Sequence, residues 1–487
     1  MGFINIFAAL ALSGCGAEKP QPSMKPQLPE PYEIVWYQVG DGMTPDVQEV
    51  CDAVARMCPD LNISLKLVYF GWGDYNDKMT LIINSKDKFD ICFAATWTGF
   101  RQNVSRGAYI DITELFYENM PRYSAILDQA FVEGAKVGGR LFALPTNKEL
   151  FSHVGIEIDT ELAALAGIDP SKVNTLEDMD WALRVVKEKL PGIIPFYIRQ
   201  GNELRAGIYD ASFGEGPGAV MLDDQTCTVI NQYETEEKMG WWRTTRKWYI
   251  DGLINQDSGA VMSNEVFEQG KAFSRSGALG VTPEWLGPAG TILKRITLGD
   301  RYTSTETVTS AMIAFSSTSA DLGRVMEFYD RFATTPSIYN TLAYGIEGKH
   351  YVIADKSTDP WTWDFPPGVT TETVGYSSCD TWALGGDWFS TFLSKADPLN
   401  RNEITLLGNE LAVSSPVLGF SFDPSDVQAE ITACGNVMSE YLTGLDTGML
   451  DPDIYAPEFV AKLNEAGAER IIEEKQRQID LWKIEGN

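Results

Sequence analysis

Histidine is almost absent: two residues, His153 and His350, stand among 487. General-base catalysis by histidine and multi-histidine metal sites are therefore poorly supplied, and no His-Glu-x-x-His pair, phosphate loop or nucleophile elbow is present. Cysteine is sparse too. Seven in a chain of this length make no disulfide framework or metal spacing. Cys51 and Cys58, read on one helix, lie two turns or ~10 Å apart, too far to bridge. Basic residues are outnumbered, with 39 Lys and Arg against 68 Asp and Glu and a formal charge of −29. Such a surface argues against nucleic acid, whose phosphates need a basic face. Beyond the first residues no stretch approaches the ~20 apolar residues of a membrane-spanning helix.

Two nearby patterns carry no chemistry. Gly214, Gly216 and Gly218 do not follow the dinucleotide fingerprint and read as a loop. Asp451 and Asp453 lack the rest of a calcium loop. No metal and no cofactor is expected.

The N-terminus is apolar from Gly2 to Leu12 and closes on Ser13-Gly14-Cys15. This resembles a bacterial lipoprotein signal (residues 1–15) in which Cys15 is lipidated, although no Lys or Arg precedes it. Residues 16–31, with Pro20, Pro22, Pro26, Pro29 and Pro31, then read as an extended tether at ~3.1 Å per residue. The expected location is the outer face of the cell membrane.

From Glu33 the pattern alternates. A strand over 33–39, a helix capped by Thr44 and Pro45, a strand over 63–69, a helix over 74–85 and a short apolar run over 89–95 predict a parallel sheet with right-handed crossovers. Ligands of such sheets sit beyond the carboxyl ends of the strands, here residues 40–43, 70–75 and 96–100. A strand over 140–144 leads through Pro145-Thr146-Asn147 into a second α/β region, where Thr175 caps a helix that Pro191-Gly192 ends. A strand over 312–315 and an amphipathic helix follow, and the last hundred residues become mainly helical, with a charged segment over 457–483.

Tryptophan is abundant, with thirteen residues. A sugar ring offers an apolar C–H face and a hydroxyl rim, so aromatic platforms beside amides and carboxylates suit it. Trp97, Trp285, Trp361, Trp363 and Trp382 sit in loop-like contexts of that kind, whereas Trp181, Trp241, Trp242 and Trp248 lie on helical patterns and are assigned to packing.

The segments Asp74-Tyr75, Phe89-Asp90-Ile91, Gly107-Ala108, Asp111 to Leu115 and Gly139 to Pro145, then Tyr344 to Tyr351, Ser415 to Asp423, Asn436-Val437, Glu440-Tyr441 and Ala466-Gly467 through Trp482, follow a familiar order. The chain resembles the extracellular solute-binding lipoproteins of ABC carbohydrate importers, in the Gram-positive branch. That branch often carries Trp-x-x-Gly-Asn, where this chain has Gly386 after Trp382 and Gly385.

The resemblance implies two α/β lobes of the type II periplasmic-binding kind with a helical C-terminal extension, dividing as 32–146 plus 310–355 and 147–309 plus 356–487. Hinge crossings are expected at 146–150, 308–311 and within 353–368. It implies capture of a carbohydrate, expected to be an oligosaccharide, by a monomer that closes on it and docks to permease subunits, with no catalysis. The ligand residues expected on cleft-facing loops are Trp36, Asp41, Tyr75, Thr96, Trp97, Asn147, Glu149, Trp285, Glu347, Trp361, Asp380 and Trp382. The tryptophans would stack; Asp41, Asn147, Glu149 and Asp380 would bond hydroxyl groups. Tyr75 also fits a helix-start anchor, and Glu347 a turn residue.

Three other readings stay open. A peptide or amino-acid receptor would place Arg101 or Arg199 in the cleft. A glycoside hydrolase would need two cleft carboxylates ~5–10 Å apart. An anchored adhesin or sensor would have no permease.

Overall fold

The computed structural model describes residues 28–42, 44–152, 154–201, 204, 208–279, 282–287, 290–378, 380–395 and 397–484. Cys15 and most of the expected tether lie outside the described residues, as does His153.

Two sheets of five strands define two lobes. In the first, the order is Ile63–Phe70, Tyr32–Val39, Ile91–Ala94, Met312–Phe315 and Ala143–Pro145. The first three run parallel, with Tyr32 opposite Ile63 through Val39 opposite Phe70. Met312–Phe315 alone departs from the expected parallel sheet, pairing antiparallel with both neighbours, so Ala143–Pro145 runs in the same direction as the first three. Met312–Phe315 is the strand on which the chain comes back from the second lobe, so no crossover helix sets its direction. Residues 356–384, expected in the second lobe, give Tyr376, Ala383 and Leu384 to this first core.

Local chemistry explains where helices begin. The helix Val47–Arg56 starts two residues later than the Thr44-Pro45 cap predicts, with Asp46 at its N-cap position. The Asp46 carboxylate makes no cap bond; His350 Nε2 lies 3.0 Å from it and Lys349 Nζ 2.9 Å. Cys51 is buried in this helix, while Cys58 lies past its end, buried on the neighbouring turn. Thr175 caps Leu176–Lys189 as predicted, its hydroxyl accepting from Asp178 N while the Asp178 carboxylate accepts from Thr175 N.

The second sheet runs Glu284–Leu286, Ile292–Thr297, Val154–Asp159, Ala272–Ala278 and Ile194–Tyr197, antiparallel except for its last pair. Trp248 is buried behind it, but Trp181, expected to pack, is about half exposed on its helix.

A third core is helical. Glu236–Ile250, Gln428–Asp446, Pro452–Glu465 and Ala468–Ile484 enclose Trp242, Tyr441, Phe459 and Ile471. The charged segment over 457–483 is two helices, broken at Gly467, whose φ of +102° favours glycine. Within this core Lys475 is fully buried, its ammonium donating to the carbonyls of Gly214, Gly216 and Gly218, each at 3.3 Å. Phe213 and Phe422 face the same nitrogen at 5.2 and 5.5 Å.

Candidate functional site

The carboxyl ends of the first-lobe strands carry three indoles to one place. After Ala94 the chain makes the single turn Thr96–Thr98, closed by Ala95 N donating to Thr98 Oγ1 at 2.9 Å, which leaves Trp97 about 45 % exposed. The Trp97 ring N–H donates to the Ser310 carbonyl at 2.9 Å, fixing the ring against the returning chain. After Phe70 comes Trp72, whose ring lies 5.8 Å from Trp97 and stacks on Trp382 at 5.7 Å and 22°. Trp382 stands on the turn Thr381–Leu384, which Gln38 Nε2 holds by donating to the Ala383 carbonyl at 2.8 Å. Phe93 lies against both, 5.5 Å from Trp97 and 6.2 Å from Trp382. The result is one continuous aromatic wall.

Facing it is backbone that connects the lobes. Thr146 N donates to Ala311 O at 3.0 Å, Asn147 N to Gly386 O at 2.9 Å, and Trp388 N to Asn147 O at 3.1 Å. Asn147 Nδ2 donates to Asp387 at 2.8 Å and Ser390 Oγ to the other carboxylate oxygen at 2.6 Å, while burial pushes the Asp387 carboxyl up from its ordinary range. Glycine is required at 385: φ is +78° and an added Cβ would stand 2.1 Å from the Tyr329 hydroxyl.

Between wall and connection lies a cavity of about 580 Å³, lined by Trp97, Lys148, Glu149, Leu279, Ser310, Trp382 and Trp388. Trp388 is held by its ring N–H donating to Thr381 Oγ1 at 3.2 Å, with the Arg401 guanidinium 4.1 Å from its ring. Burial lowers the pKa of Lys148 and raises that of Glu149. Glu149 is the one acid lining the cavity among the described residues, and no group of three His, Cys, Asp or Glu able to hold a metal occurs among them.

Of the expected ligand residues, Trp97, Glu149 and Trp382 line this cavity. Asn147 and Asp380 sit beside it, Asn147 bonded to Asp387 and Asp380 accepting from the Trp382 ring N–H at 3.3 Å. Thr96 turns away, its hydroxyl paired with that of Thr309. Asp41 is exposed and leans on Gly71 at the rim.

Five expectations are corrected. Trp36 is 0 % exposed, packed on Tyr329 and Phe332, because it lies within the strand Tyr32–Val39 rather than after it. Tyr75 is 2 % exposed and donates its hydroxyl to the Phe93 carbonyl at 2.6 Å, the helix-start anchor. Trp285 is on an edge strand, donating its ring N–H to Glu157 at 2.7 Å beneath Arg295. Glu347 is an exposed turn residue bridged to Tyr351. Trp361 stacks on Phe392 at 6.0 Å, away from the cavity lining. Neither Arg101 nor Arg199 lines the cavity.

Sequence reasoning missed Trp72, Lys148 and Trp388. Trp72 lies within the strand-end segment 70–75, which was signal enough to find it. Lys148 and Trp388 depend on which chain segments meet at the connection, which no local pattern records.

Comparison with known proteins agrees with this architecture. Residues 40–272 match the family model of bacterial extracellular solute-binding proteins, and residues 416–484 match a domain of unknown function. A carbohydrate ABC transporter substrate-binding protein of Streptococcus pneumoniae serotype 4 is 30 % identical over 465 residues, covering 92 % of this chain and 90 % of the relative. The crystal structure of the N-glycan transport solute binding protein NgtS of Streptococcus pneumoniae superposes with a TM-score of 0.83 at 27 % identity, covering 92 % and 98 % of the two chains. Alginate-binding protein AlgQ2, 14 % identical over 92 % and 98 % of the chains, shares the fold at a TM-score of 0.62. No described helix is long and apolar enough to cross a membrane. The chain belongs to the bacterial extracellular solute-binding proteins, among the substrate-binding proteins of carbohydrate ABC transporters.

Proposed function

We propose that this protein captures an oligosaccharide between its lobes, closes over it by hinge rotation, and delivers it unaltered to permease subunits. The observation that carries the reading is the cavity of about 580 Å³ at the lobe connection, with Trp97, Trp382 and Trp388 offering ring faces and Lys148 and Glu149 offering a donor and an acceptor. An indole face takes the C–H face of a pyranose while the polar pair takes its hydroxyl rim. A single lining carboxylate among the described residues favours binding over glycosidic hydrolysis, which uses two.

The related NgtS supports an oligosaccharide and a hinge. The TM-score of 0.83 to its crystal structure falls to 0.75 and 0.72 against the same protein in complex with Man1GlcNAc and Man5GlcNAc. We take the present lobe arrangement as the open one. The lobes would divide where the connections at Thr146 to Lys148, Ser310 to Ala311, and Gly385 to Trp388 leave the first core. The expected membrane link is a lipid on Cys15, supported by Leu12-Ser13-Gly14-Cys15 and the prolines that follow. Cys15→Ala should then release the protein from cells into the medium; retention on the membrane would refute the anchor.

The test is a thermal-shift and calorimetric screen against mono- and oligosaccharides, with short peptides as controls. A ligand that binds only the folded state raises the melting temperature with its excess over Kd. An oligosaccharide hit with the sugar recovered intact is expected. A shift with peptides alone, or cleavage of the sugar, would overturn the reading.

A further inference from the structure

We infer that Lys148 and Glu149 form a paired selector that takes two adjacent hydroxyl groups of a neutral sugar ring seated on the tryptophan wall. The inference rests on the oligosaccharide reading above and adds to it the chemistry of the ring at the hinge.

Both residues line the cavity. The Lys148 ammonium has three donors, yet among the described residues its one acceptor is the Glu149 carbonyl at 2.8 Å, and no carboxylate lies within ion-pair distance. The Glu149 carboxylate accepts no hydrogen bond from a described residue. Each group is half-buried on the cavity lining, with most of its hydrogen-bonding capacity left for what enters the cavity. The surrounding protein pushes the lysine pKa down and the glutamate pKa up.

The pair is also held in place. Asn409, on the helix Arg401–Leu411, donates to the Lys148 carbonyl at 2.9 Å and accepts from Leu150 N at 3.0 Å, clamping the backbone on either side of Glu149. Other cations near Glu149 are committed elsewhere. Arg295 donates to Glu157 at 3.2 Å and to Thr282 Oγ1 at 2.9 Å, and the Arg301 guanidinium lies over Phe151 at 5.4 Å. A fixed donor and a fixed acceptor on consecutive residues suit a vicinal diol: one hydroxyl accepts from Lys148 and the other donates to Glu149. A ring bearing a carboxylate would meet Glu149 with like charge as the lobes close.

The experiment is calorimetric titration of the whole protein with Man1GlcNAc, and with a matched disaccharide that carries a uronic acid. The variants are Lys148→Met, Glu149→Gln and Lys148→Arg, each with its melting temperature measured. Lys148→Met and Glu149→Gln should each weaken the neutral disaccharide at least tenfold without lowering the melting temperature, and Lys148→Arg should recover part of the loss. Wild-type affinity should fall as pH is lowered and Glu149 takes a proton, and Glu149→Gln should abolish that slope. If wild type binds the neutral disaccharide and both variants bind it equally well, the selector is refuted while the oligosaccharide reading stands. If the uronic disaccharide binds more tightly and Glu149→Gln strengthens it, the site selects an acidic ring and the neutral assignment falls. If peptides bind and no sugar does, both readings fall together.

Discussion

Two lysines, one buried in the helical core and one half-buried on the cavity lining, differ in how their donors are met. Lys475, in the helical third core, has three carbonyl acceptors and two aromatic faces around its ammonium. Lys148, in the cleft, has one carbonyl. A buried cation whose donors are filled by its own chain is a structural tie: here it fastens the last helix to the loop over 213–218. A cation half-exposed to the cleft with donors to spare sits where a ligand enters. Satisfaction by the chain's own acceptors, rather than charge, separates the two roles.

The largest effect should come from breaking the satisfied site. Lys475→Met leaves three buried carbonyls without a donor and should lower the unfolding free energy by about 1–3 kcal/mol, read from urea denaturation, with sugar affinity unchanged. The same substitution carries a pH signature. Burial lowers the Lys475 pKa to about 7. In the unfolded chain it is ~10.4. Between those values the unfolded state binds more protons, so the wild type should gain stability relative to Lys475→Met as pH rises from neutral toward 10.

Next in size is the aromatic wall. Trp97→Ala removes a ring already about half exposed, so stability should change little while sugar affinity falls at least tenfold, ~1.4 kcal/mol. Unchanged affinity would remove Trp97 from the site. The smallest effect should come from a third kind of lysine. Lys395 is exposed, 2.7 Å from Asp364, and Lys395→Met should alter stability by no more than ~0.5 kcal/mol and affinity not at all.

The alternation of strand and helix up to Ala95, the cap at Thr175 and the strand 312–315 were legible in the sequence because each is a local pattern. So were Trp97 and Trp382, which stand in short turns among Gly, Thr and Asp. Trp36 was misread because one residue's position in a strand decides whether it faces the core or follows the strand's end; the burial of its neighbours Val35 and Tyr37 does not reveal which. Trp285 was misread because its partner, Glu157, is 128 residues away. The meeting of 146–149 with 385–388, which builds the far side of the cavity, is a tertiary fact that no window of sequence contains.

The most direct test is amide hydrogen exchange of the whole protein with and without a binding oligosaccharide. Slower exchange is expected at residues 96–98, 146–150 and 380–388, with no change at 213–218 or 470–480. Binding that protects the second set and leaves the first untouched would contradict the account.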